Sequence, residues 1–207
     1  MDSWALLLTI AVAHVVIAVT PGPNFLIVLK VSVSTSRRHG LVTSLGVITG
    51  TGIYATSGFL GFAALLAHSA ELLTILRWLG AIYLIYMGVQ AFRANHHADL
   101  PEAGHQTITM TLPQAYRTGL LTMLSNPKAA LYFFTLFTTT VPTTVTLEMK
   151  IIVISMLMAI SLTWYTIVAL SFSNRRIQAL YMRAKRWLDR FFGGVFIVLG
   201  IRVAGTA

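Results

Sequence analysis

Long apolar runs alternate with short polar stretches along the whole chain. A helix needs about 20 apolar residues to cross the hydrocarbon core of a bilayer. Six runs approach or exceed that length and predict six transmembrane helices, at about 4–33, 41–67, 72–92, 115–141, 151–172 and 191–204. The connections between them are short, so the pattern predicts a single all-α membrane domain over 1–207.

Two of the six predicted helices are interrupted near their middle. The first contains Pro21-Gly22-Pro23-Asn24 and the fourth contains Asn126-Pro127-Lys128. Proline lacks an N–H and clashes with the carbonyl four residues earlier, so each break frees carbonyl oxygens, such as that of Met123. The half-helix that follows each break begins with amides that have no partner within the helix. The pattern therefore predicts broken helices 1 and 4.

The second half of the chain repeats features of the first. The segments 79–88 and 191–200 align when shifted by 112 positions, and the two proline breaks lie about 104 positions apart. Repeats of about 1–95 and 114–207 would each hold three helices, and an odd number inverts one repeat relative to the other. Inverted repeats with broken helices are typical of alternating-access transporters.

Composition supports a membrane protein: 56% of the residues are hydrophobic and 10% are charged, and the chain contains no cysteine. A soluble domain has roughly 25% charged residues. Soluble enzymes, thiol catalysis and cysteine metal sites are therefore excluded.

The net charge of +9 would suit nucleic-acid binding, but its placement indicates topology instead. Eleven of the 15 Lys and Arg residues lie in or beside the first, third and fifth connections. Basic connections stay in the cytoplasm, so both termini are predicted to lie outside. The basic segment 173–190 also has an apolar face, predicted to lie on anionic lipids of the inner leaflet. That face comprises Ile177, Leu180, Tyr181, Ala184 and Leu188.

Lys128 is the most informative single residue, because a lysine at the bilayer centre costs about 2.5–3.5 kcal/mol and needs a partner. Three partners are open: the Asp189 carboxylate, the carboxylate of a substrate, or carbonyls freed near Pro21. A zwitterionic amino acid would suit the two breaks, with its carboxylate at half-helix N-termini and its ammonium at Asn24 and Asn126. The predicted substrate-binding set is Pro21, Gly22, Pro23, Asn24, Asn126, Pro127 and Lys128.

Other residues have secondary predicted roles. His14 and Asp189 are candidates for proton coupling, since histidine titrates near neutrality and Asp189 lies close to the last helix. Small residues at close spacing let membrane helices approach, and these pairs are compatible with a homodimer. Four residues are predicted to pack helices or line the pathway: Gly46, Gly50, Tyr83 and Gly88. The His, Asp and Glu residues of the third connection (96–105) fit no metal site, and no cofactor is predicted.

These motifs together resemble the LysE/RhtB amino-acid exporter family over essentially the whole chain. The resemblance is carried by 21–24, by Gly46 and Gly50, and by the segments 80–88 and 119–129. Within that family the sequence is most similar to the threonine/homoserine efflux branch, through His14 and the segments 119–122 and 185–189. The resemblance implies a bacterial inner-membrane exporter of small neutral amino acids that is driven by proton antiport.

One position departs from that branch, whose threonine exporters can carry an acid where this chain has Asn24. The departure leaves the exact substrate and the coupling residue open. Export of another amino acid or analogue, or of a metal cation, is the alternative within transport. A membrane enzyme would need a cluster of catalytic groups at one depth, and a metal exporter would need carboxylates inside the spans. The sequence offers neither.

Overall fold

The computed structural model describes residues 3–68, 70–93, 109–141, 145–172 and 174–205. Over these residues the chain is entirely α-helical outside its turns, which confirms the predicted class. The described elements are α1 (Ser3–Val19), α2 (Pro23–Ser34), α3 (Arg37–His68), α4 (Ala70–Arg93), α5 (Leu112–Leu124), α6 (Pro127–Thr139), α7 (Leu147–Ser171) and α8 (Arg175–Ala204).

The first proline motif separates α1 from α2. The Thr20 hydroxyl donates to the Val16 carbonyl at 2.6 Å and closes the last turn of α1. Gly22 is extended, and Pro23 is the first residue of α2, where its missing N–H costs no helical hydrogen bond. The axes of α1 and α2 differ in direction by 52°.

The second proline motif separates α5 from α6. The Asn126 side-chain oxygen accepts from the Lys128 backbone N–H at 3.0 Å and caps α6. Pro127 is the first helical residue. The Met123 carbonyl, which the sequence left without a partner, accepts from the Asn126 backbone N–H at 3.2 Å.

The basic segment 173–190 was predicted to lie along the inner leaflet, but part of its apolar face packs on the protein. From Arg175 onward it is continuous with the last predicted span, forming the single helix α8. Tyr181 is buried and stacks on Phe25 with ring centroids 5.0 Å apart. Leu188 packs on the core, whereas Leu180 is exposed. Nothing between Arg175 and the last span breaks a helix, so the periodicity continues into it.

Glycine contacts join α3 to α5. A Cβ on Gly46 would overlap the Tyr116 carbonyl oxygen, and a Cβ on Gly119 would overlap the Thr43 carbonyl oxygen. A Cβ on Gly50 would lie 2.5 Å from the Met123 side chain. Gly46 and Gly50 therefore pack helices closely, as small residues do in membrane proteins.

Glycine contacts also join α4 to α8, and they are reciprocal. A Cβ on Gly88 would meet Gly193 and Ile197, whereas a Cβ on Gly200 would meet Ala81 and Ile85. Each residue of the α8 set (193, 197, 200) lies 112 positions after its counterpart in the α4 set (81, 85, 88). The two helices thus exchange equivalent contacts at the shift that aligns the two halves of the sequence.

Membrane-spanning length and hydropathy can be checked helix by helix over the described residues. Leu147–Ser171 alone is long and apolar enough to cross a membrane, and α1 and α2 meet the requirement together as a bent pair. The remaining spans of the predicted six therefore stay a prediction.

Candidate functional site

The two chain breaks face a common cavity of about 30 Å³, here called the central cavity. Its lining comes from α1, α3, α5, α6 and α7 and from the residues around both breaks. The polar side chains in this lining are His14, Thr20, Asn24, Thr51, Asn126, Lys128, Tyr132, Ser161 and Tyr165. Like ligand sites, this cavity has a few convergent polar groups, but its volume is below the roughly 300–1,000 Å³ of such pockets, so binding a ligand would require the lining helices to separate.

Lys128 connects the two breaks. Its Nζ donates to the carbonyl of Thr20 at 3.1 Å. Thr20 lies at the break between α1 and α2, whereas Lys128 lies at the break between α5 and α6. The Lys128 side chain also passes 3.5 Å from the position that a Cβ on Gly22 would occupy. Of the three partners that the sequence left open, a carbonyl beside Pro21 is the one that receives this hydrogen bond.

A second cavity, of about 330 Å³, also has Lys128 in its lining. It is lined by Thr20, Pro21, Gly22, Pro23, Tyr83, Tyr86, Met87, Gln90, Lys128 and Asp189. Asp189 is 4% exposed, and its carboxylate interacts electrostatically with Lys128. Lys128, Thr20 and Gly22 line both cavities, so one ammonium group is available to a ligand in either.

Asn24 lines the central cavity, and its side-chain oxygen is buried. The residue is buried, and its Nδ2 donates to the Met123 sulfur at 3.0 Å. Its Oδ1 has no hydrogen-bond partner among the described residues. A buried acceptor without a partner costs about 1–3 kcal/mol, which a ligand donor in the cavity would offset.

The helix N-termini at the two breaks differ. Asn126 uses its side-chain oxygen to cap α6, which occupies one of its two acceptor positions. No side chain in the described part of the chain caps α2. The first amides of α2, beginning with that of Asn24, are therefore better placed to receive an anion than those of α6.

His14 lies in a buried group of side chains that the sequence did not reveal. Its Nδ1 is 3.2 Å from the Tyr132 hydroxyl, and its Nε2 is 2.9 Å from the Ser161 hydroxyl. The Ser161 and Thr51 hydroxyl oxygens are 3.5 Å apart. These residues come from four helices and share no motif, so only their polarity within apolar helices marked them.

A comparison with family models identifies the family of this chain. Residues 15–206 match the model of the LysE type translocator. The chain belongs to the LysE translocator family. This confirms the resemblance that the sequence motifs carried, and the family and its efflux proteins indicate a membrane transporter rather than an enzyme.

Individual relatives of this LysE family member bear names of amino-acid exporters. The chain is 31% identical to the threonine efflux protein of Escherichia coli (strain K12), over 96% of this chain and 97% of the relative. It is 33% identical to the leucine efflux protein of Salmonella choleraesuis (strain SC-B67), over 62% of this chain and 60% of the relative. These names support amino-acid export and agree with the RhtB branch. No solved structure matches the chain.

Metal binding receives no support from the LysE family member's described residues. They contain no group of three or more His, Asp or Glu side chains that could hold a metal ion. The third connection, with His96, His97, Asp99, Glu102 and His105, lies outside the described residues.

Proposed function

We propose that this protein exports a small neutral amino acid, of the threonine or homoserine kind, across the bacterial inner membrane in exchange for protons. The observation that carries the proposal is the central cavity, whose lining includes both Lys128 and Asn24, and the Asn24 Oδ1 has no hydrogen-bond partner among the described residues. A cation and an acceptor in one cavity complement the carboxylate and ammonium of a zwitterion. The threonine and leucine efflux relatives support the same class of substrate.

In this proposal each end of the zwitterion has its own partners. The carboxylate binds the Lys128 ammonium and the uncapped amides of α2, while the substrate ammonium donates to Asn24 Oδ1. Asn126 contributes its second acceptor position and holds the first turn of α6. Pro21, Gly22, Pro23 and Pro127 shape the two breaks, so they contribute backbone geometry rather than side-chain contacts.

Alternating access would follow from six spans arranged as two inverted repeats. The reciprocal contacts of Gly88 and Gly200 support a pseudo-twofold relation between α4 and α8, because they reproduce the 112-position shift. A twofold axis that exchanges antiparallel helices inverts one repeat relative to the other. The two chain breaks then belong to equivalent helices, as in other inverted-repeat transporters.

Orientation follows from the basic residues. With the first, third and fifth connections in the cytoplasm, both termini lie outside. Arg176, Arg183 and Arg190 are exposed on α8. Each basic residue near the surface of an anionic leaflet contributes about 1 kcal/mol, so these arginines would hold α8 at the cytoplasmic face.

Proton coupling requires a titratable group near the substrate. Asp189 in the second cavity and His14 in the central cavity are the two candidates. Asp189 is favoured because its carboxylate already interacts with Lys128, whose ammonium would also bind the substrate. Protonating Asp189 would free Lys128 for a substrate carboxylate.

Asp189→Asn is expected to reduce proton-driven threonine export several-fold while threonine/threonine exchange continues. During exchange the transporter changes conformation only while substrate is bound, so no net movement of protons is needed. Both modes are measured in the same proteoliposomes. Glu148→Gln is the control, because it removes a carboxylate from the exposed start of α7. Normal gradient-driven export by Asp189→Asn would contradict the role of Asp189 and leave His14 as the candidate.

The proposed function as a whole is tested by efflux of labelled threonine from proteoliposomes that contain the full chain. Efflux should increase when an inward proton gradient is imposed, and unlabelled homoserine should compete. Liposomes without protein and liposomes with an added protonophore are the controls. Absence of flux for every amino acid tried, with monodisperse protein, would refute amino-acid export.

A further inference from the structure

The end of the central cavity beyond Lys128 carries a cluster of hydroxyl groups. His14, Thr51, Tyr132 and Ser161, here called the hydroxyl cluster, come from α1, α3, α6 and α7. Each is at most 5% exposed. His14 contacts Tyr132 and Ser161 at 3.2 and 2.9 Å, and Ser161 is 3.5 Å from Thr51. Four helices thus each place one polar side chain at the same point.

The hydroxyl cluster lies one to two helical turns from the level of Lys128. His14 lies six positions before Thr20, whose carbonyl binds Lys128, and this corresponds to about 9 Å along α1. Tyr132 lies four positions after Lys128, or about 6 Å along α6. A ligand held between Lys128 and the cluster would therefore be small, and the lining helices would have to separate to admit it, because the cavity volume is about 30 Å³.

The cluster keeps hydrogen-bonding capacity after its own contacts are made. A hydroxyl has one donor and two acceptor positions, and a neutral imidazole has one of each. His14 uses both ring nitrogens on Tyr132 and Ser161. The three hydroxyls are joined to one another only through His14 and the 3.5 Å contact, so acceptor positions remain on each. An apolar substrate side chain would bury these positions without a partner.

We infer that the hydroxyl cluster is the side-chain subsite and that it selects small amino acids bearing a hydroxyl over apolar ones of the same size. The inference rests on the proposed function, because it assigns the other end of the same substrate. His14 orients the Tyr132 and Ser161 hydroxyls, and these two contact the substrate hydroxyl. The role of His14 as an orienting group does not depend on which residue carries the coupled proton.

The selection has a simple physical basis. A site built to hydrogen-bond a hydroxyl rejects an analogue that lacks it, because the buried polar groups of the site lose their partner. An apolar pocket discriminates far less between a hydroxyl and a methyl group of the same size. Valine has a methyl group in place of the threonine hydroxyl, and 2-aminobutyrate has a hydrogen atom there. These three amino acids therefore separate hydroxyl recognition from size.

The experiment is competition against labelled threonine uptake by counterflow, in proteoliposomes with the full chain. For the unmodified protein, half-inhibition by threonine should occur at a concentration about tenfold or more below that of valine and 2-aminobutyrate. Ser161→Ala and Tyr132→Phe should each reduce this ratio to about threefold or less, mainly by weakening the binding of threonine. Ser155→Ala makes the same change on an exposed face of α7 and should keep the ratio. Gel filtration of each variant checks that it is folded.

Several results would overturn the inference. Equal competition by threonine and valine in the unmodified protein would do so, as would faster transport of leucine than of threonine. Equal loss of affinity for all competitors in folded Ser161→Ala and Tyr132→Phe would show a merely structural role. In each of these cases amino-acid export itself would stand. If no amino acid is transported or competes, the proposed function fails and this inference fails with it.

Discussion

Lys128→Ala is expected to lower kcat/KM for amino-acid export by about a hundredfold. Removing one partner of a buried, hydrogen-bonded charge pair costs about 2–5 kcal/mol, and each 1.4 kcal/mol is tenfold. Without the ammonium, a substrate carboxylate in the central cavity would have only the amides of α2. Initial rates of efflux over a range of internal substrate concentrations give the ratio directly.

Two further variants sharpen the Lys128 prediction. Lys30→Ala removes the same charge from an exposed position on α2 and should leave export nearly unchanged. Lys128→Arg keeps the charge, but its planar guanidinium cannot replace a compact ammonium at this contact, so intermediate activity is expected. Full activity of Lys128→Ala would mean that the carboxylate binds elsewhere.

Gly46→Val is expected to destabilise the folded protein by about 3 kcal/mol, the upper end for overpacking a well-packed interior. A Cβ at this position overlaps the Tyr116 carbonyl oxygen, and backbone atoms cannot rotate out of the way. The α3–α5 contact must therefore open. For a chain of 207 residues the midpoint of thermal unfolding should fall by roughly 6–12 °C. Fluorescence-detected thermal unfolding in detergent measures this shift.

Gly61→Val is the matched control, since it makes the same change on the same helix. A Cβ on Gly61 would meet no atom of the described part of the chain within 4 Å. Both variants place a β-branched side chain in α3, so differences in helix propensity cancel. Similar midpoints for the two variants would show that the contact at Gly46 adapts without loss.

The ends of α1 and α5 were predictable because the effect of proline on a helix is local. A proline removes its own N–H wherever it stands, so the ends of α1 and α5 can be read from Pro21 and Pro127. A lysine in an apolar run needs a partner, and the sequence already offered the carbonyls beside Pro21. The resemblance to the family was likewise carried by short motifs, each made of residues that are close in the sequence.

The hydroxyl cluster and the course of α8 could not be predicted in the same way. Ser161 lies 147 positions from His14, and a single serine in an apolar helix carries no signal of what it faces. The basic stretch before the last span looks like a connection because of its charge. Charge does not end a helix, however, so it is structure in three dimensions that brings Tyr181 to Phe25.

The glycine contacts have a consequence for how such a transporter opens and closes. Two of the close interfaces, α3 with α5 and α4 with α8, each join a helix from the first half of the sequence to one from the second. Rigid movement of one half past the other would break both. A movement that keeps the α4–α8 pair together would have to slide it on α6, since a Cβ on Gly80 would lie 2.8 Å from the Thr135 hydroxyl oxygen. The residues Tyr83, Tyr86, Gln90 and Asp189 of that pair line the second cavity. Opening of the second cavity would then depend on a pair of helices, one from each half of the sequence.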